Sequence, residues 1–75
     1  MPDAALANQL TVEAERLLNA TSHNYIDGDD VARAVGRDPQ DADVYLAFRE
    51  VQRRDSLKLD AWGGGMGLPH IVGPP

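Results

Sequence analysis

The side chains most able to do chemistry in this sequence are its cations. Six of seven, Arg33, Arg37, Arg49, Arg53, Arg54 and Lys58, fall between residues 33 and 58. Clustered cations can neutralise phosphates, which supply most of the non-specific affinity for nucleic acid. The plainer reading of Arg49, Arg53 and Arg54 is a solvated helical face paired with Glu50 and Asp55. Asp27-Gly28-Asp29-Asp30 superficially suggests a calcium loop, but an EF-hand needs ligands at loop positions 1, 3 and 5 and glutamate at 12. Counted from Asp27, position 5 is Val31 and position 12 is Asp38, so these acids read as a helix cap. The run Gly63-Gly64-Gly65-Met66-Gly67 lacks the Gly-Lys-Ser/Thr of a phosphate loop and precedes a strand-like stretch, Leu68 to Val72, where such a loop requires a helix. His23 and His70 lack the local spacing of a zinc pair. A nucleophile paired with a base would have to come from Thr11, Thr21, Ser22 or Ser56, and all four are read beside turns or helix ends. Neither catalysis nor a cofactor or metal is expected.

Apolar side chains at the margins of the pattern point to a different chemistry. Tyr45 and Leu46 lie beside the apolar stripe of a helix, and one left exposed would mark a protein partner, because apolar surface is hard to explain on a face meant for phosphates. Trp62 either packs locally against the glycine turn and Pro69 or is presented as an interface anchor together with Met66.

Three helices and a hairpin must position these groups. Asp3 can cap a first helix over residues 4 to 20, with Leu6, Leu10, Ala14, Leu17 and Leu18 on one face. Thr21 to Asn24 form a turn, and Tyr25-Ile26 is a brief strand. Asp27 caps a second helix, about 28 to 35, which Gly36 ends. Asp38 is expected to cap a third helix over about 39 to 54, with Pro39 in its first position, after a three-residue break. Its stripe is Val44, Ala47, Phe48 and Val51, at i, i+3, i+4 and i+7. From Leu57 the period becomes two, and residues 57 to 62 are expected to pair with residues 68 to 72 across the glycine turn. Alternation puts Trp62 on the face opposite Leu57 and Leu59.

Seventy-five residues allow one α+β domain over residues 1 to 75, burying only about 60% of the surface the unfolded chain exposes. There is no cysteine, no apolar run long enough to span a membrane and no basic-plus-apolar start like a signal peptide, so a cytoplasmic location is expected. The net charge is −5, with −5 in residues 1 to 32 and +1 in residues 33 to 58. That acidity opposes nucleic-acid binding, and the cationic segment favours it.

The stretch Tyr25-Ile26-Asp27-Gly28-Asp29-Asp30-Val31-Ala32 followed by Gly36, then Val44-Tyr45 with Phe48 and Val51, then Asp55 and Leu57, resembles a bacterial winged-helix (winged helix-turn-helix) domain. The resemblance implies three helices followed by a β-hairpin wing. In members that bind DNA, the third helix enters the major groove and the wing touches the backbone or minor groove. The matching residues are Arg49, Gln52 and Arg53 on the helix and Lys58 on the wing, with Arg37 in the preceding turn. Asp41 and Asp43 at the start of that helix, and a wing tip without Arg or Lys, depart from the pattern. The leading expectation is a regulatory nucleic-acid-binding module. Its alternative is a protein-interaction or dimerisation module, with Tyr45, Leu46, Trp62 and Met66 as interaction residues, either as one end of a longer chain or as a homodimer through the first helix or the wing.

Overall fold

The computed structural model describes residues 3–65 and 67–73. The elements run α1 (Ala4–Ala20), β1 (Ile26–Asp27), α2 (Gly28–Ala34), α3 (Ala42–Arg54), β2 (Lys58–Asp60) and β3 (His70–Gly73). This is a small α+β fold, compatible with a winged helix-turn-helix. None of its helices, among the described residues, is long and apolar enough to cross a membrane.

Local capping chemistry sets most of the helix ends. Asp3 accepts from the Leu6 N–H at 3.1 Å, and Asp27 accepts from Asp29 at 3.1 Å with Asp29 and Asp30 following in the first turn. Gly36, at φ 79°, closes α2 with its N–H on the Arg33 carbonyl and the Arg37 N–H on the Ala32 carbonyl. Thr11 lies inside α1 and not beside its end, its hydroxyl donating to the Ala7 carbonyl at 2.9 Å.

The third helix starts later than its sequence suggests, at Ala42. Asp38-Pro39-Gln40-Asp41 instead closes a turn, with the Asp41 N–H on the Asp38 carbonyl at 2.9 Å. Aspartate at the first and proline at the second position are what such a turn favours. Asp41 becomes the cap, accepting from Asp43 at 3.0 Å. The break between α2 and α3 is therefore residues 35 to 41, longer than the three residues expected.

The hairpin is shorter than the alternation implies, and it belongs to a three-stranded antiparallel sheet of order β1-β3-β2. Ile26 and Leu59 both pair with Ile71, while Asp27 and Asp60 both pair with His70. Residue 61 leaves the strand, because Ala61 adopts a left-handed φ of 54°. One core unites helices and sheet: Leu6, Leu10, Val31, Val44, Phe48, Val51 and Ile71 are fully buried, and Leu57 and Leu68 nearly so. Gly28 sits where α2 meets the strand, its N–H donating to the Pro69 carbonyl at 2.9 Å.

Candidate interaction surface

The exposed side of α3 follows from the stripe it buries. With Val44, Ala47, Phe48 and Val51 turned inward, Leu46, Arg49 and Arg53 lie on the opposite face of a helix with 3.6 residues per turn. Leu46 is 40% exposed. Tyr45 and Trp62, both half-buried, flank this face and pack on the core below. Tyr45 meets the indole edge-on, with ring centroids 6.1 Å apart.

Arg49 roofs the pair. Its guanidinium lies 4.0 Å from the Trp62 ring centroid and 5.2 Å from that of Tyr45, a cation–π stack. Its Nε–H donates to Tyr45 Oη and its Nη1–H to Gln52 Oε1, each at 3.0 Å. Trp62 packs on the core, and its ring carries the Arg49 guanidinium. Its Nε1–H is buried without an acceptor, an uncommon state for an indole donor.

The neighbouring arginines are committed to one carboxylate. Glu50 is almost wholly buried and accepts from Arg53 Nε at 2.8 Å, Arg53 Nη2 at 2.5 Å and Arg54 Nε at 2.7 Å. Hydrogen bonds from Arg53 and then Arg54 hold the Glu50 carboxyl down to about 2, and the same contact raises Arg53. Arg54 also donates to Asn8 Oδ1 at 2.9 Å, fastening α3 to α1. Asp55 takes no part in these pairs; it is the left-handed cap of α3 at φ 54°.

The expected nucleic-acid residues are only partly brought together. Arg49 and Gln52 touch, and Arg53 lies one turn further along α3. Lys58 is exposed on β2 and has no ion-pair partner among the described residues. Arg37 is half-buried at the other end of α3, with its Nη1 3.9 Å from Asp41 Oδ2. Met66 lies outside the described residues. Of the four residues expected to meet protein, Tyr45, Leu46 and Trp62 share one surface with Arg49.

Away from this surface, Tyr25 links the two histidines, its ring stacked on His70 at 4.6 Å and tilted against His23 at 6.4 Å. No group of three metal-ligating side chains occurs among the described residues. An open groove of about 450 Å³ lies between α1 and the end of α2 and includes the exposed Val12. No protein-family model matches the sequence, and neither a curated protein nor a solved structure matches it.

Proposed function

We propose that this chain is a non-catalytic binding module that docks a protein partner through Tyr45, Leu46, Arg49 and Trp62. The carrying observation is Leu46, an exposed leucine in the middle of the outward face of α3. Opposite phosphates its burial would desolvate charge for no contact; opposite protein it finds apolar surface. Arginine, tyrosine and tryptophan, the residues around it, most often dominate the energy of protein interfaces. Electrostatics lean the same way: Glu50 offsets part of the charge of Arg53 and Arg54, Asp41 and Asp43 stand at the head of the helix, and the chain carries −5.

A regulatory nucleic-acid-binding role is the second reading, favoured by the exposure of Arg49, Gln52, Arg53 and Lys58 on α3 and the hairpin. A titration of duplex DNA at two salt concentrations separates the two. Protein docking predicts no binding that weakens with salt. Nucleic-acid binding predicts a slope of about −0.9 in log K against log salt for each phosphate contacted, diminished by Arg49→Ala with Arg53→Ala. A slope equivalent to several phosphates would overturn the protein-docking reading.

A further inference from the structure

Among the described residues, five of the six arginines have a carboxylate partner within the chain: Arg16 with Glu13, Arg33 with Asp30, Arg37 with Asp41, and both Arg53 and Arg54 with Glu50. Arg49 is the exception, on a chain with more acids than bases. Its two hydrogen bonds go to neutral acceptors, Tyr45 Oη and Gln52 Oε1. A guanidinium has five N–H donors, so three remain unassigned.

We infer that Arg49 receives a carboxylate of the partner protein, next to an apolar partner side chain that packs on Leu46. This rests on the protein-docking reading above. The guanidinium lies over the indole at 4.0 Å and is steered by two hydrogen bonds, so binding costs it little further side-chain freedom. One of its faces is already shielded from water by Trp62, which strengthens an ion pair formed at its edge. A carboxylate matches the charge and the planar fork together. Leu46 stands three residues before Arg49, a spacing that brings side chains on one helix face within roughly 5–6 Å at Cβ. The fitting partner segment thus presents an acid and a large aliphatic residue about one helical turn apart.

Trp62 is the only tryptophan, and its ring is the one Arg49 covers, so its fluorescence reports directly on this site. The probes are two capped helical peptides, one with Leu and Glu four residues apart and one with Gln in place of Glu, titrated into the full chain, alongside a DNA duplex. The Glu peptide should bind about tenfold more tightly than the Gln peptide. In Arg49→Lys, which keeps the charge but loses the fork and the stacking, that difference should collapse. The inference is overturned if the two peptides bind equally, if neither binds by about 1 mM, or if the preference for Glu survives in Arg49→Lys. Equal binding that is lost in Leu46→Asp removes the carboxylate and leaves protein docking standing; stronger binding of the duplex than of the Glu peptide removes both.

Discussion

Glu50 decides how much of the positive charge on α3 is available to a partner. Its buried carboxylate ties down Arg53 and Arg54, and through Arg54 it connects α3 to Asn8 of α1. Because its carboxyl is held down to about 2, below its ordinary 4.5, folding favours the ionised form. Its stabilising contribution is therefore complete above the unfolded value and is lost as pH falls from about 4.5 through about 2. Thermal melts across that window should show the parent losing stability with acid and Glu50→Gln, already less stable at neutral pH, losing less; parallel pH profiles would contradict this role. The pairing was legible in the sequence, since Glu50 precedes Arg53 and Arg54 by three and four positions on a helix. The stack of Arg49 on Trp62 was not. Alternation placed Trp62 by its parity in a strand, and an alanine in a left-handed conformation at residue 61 gives no sequence signal that the alternation has ended.

At the scale of elements, helix positions were easier to read than helix starts. Asp38 and Asp41 are both aspartates accepting from the backbone two residues on, at 2.9 and 3.0 Å. Local chemistry does not distinguish them; the turn that Pro39 favours does. The contact between α2 and the Leu68-Pro69 segment was also hidden, because it joins residues distant in sequence. There a Cβ on Gly28 would stand 2.5 Å from the Pro69 carbonyl oxygen and 3.0 Å from Leu68 Cβ. Backbone on one side and fully buried Pro69 on the other leave little room to yield. Gly28→Ala should therefore destabilise by about 1–3 kcal/mol in a denaturant melt, the usual range for overpacking. A neutral result would mean that α2 does not press on this segment as described.

Across the whole molecule, the last strand completes the sheet. β3 lies between β1 and β2, so the hairpin recognisable from the glycine turn is only two strands of a three-stranded layer, and the order of its strands depends on pairing that no local pattern encodes. That layer and α3 together support an outward face in which an exposed leucine and an aromatic-stacked arginine stand beside partly offset charges. On the proposed reading, this face docks protein. Its most direct test is affinity capture from cell extract with three forms of the chain: the parent, Leu46→Asp, and Val12→Asp as a control at the exposed position of the α1 groove, each first confirmed folded by thermal melt. Docking through the outward face of α3 predicts a protein retained by the parent and by Val12→Asp and lost from Leu46→Asp. Retention undiminished in Leu46→Asp, or lost only in Val12→Asp, would contradict it and move the docking surface to α1.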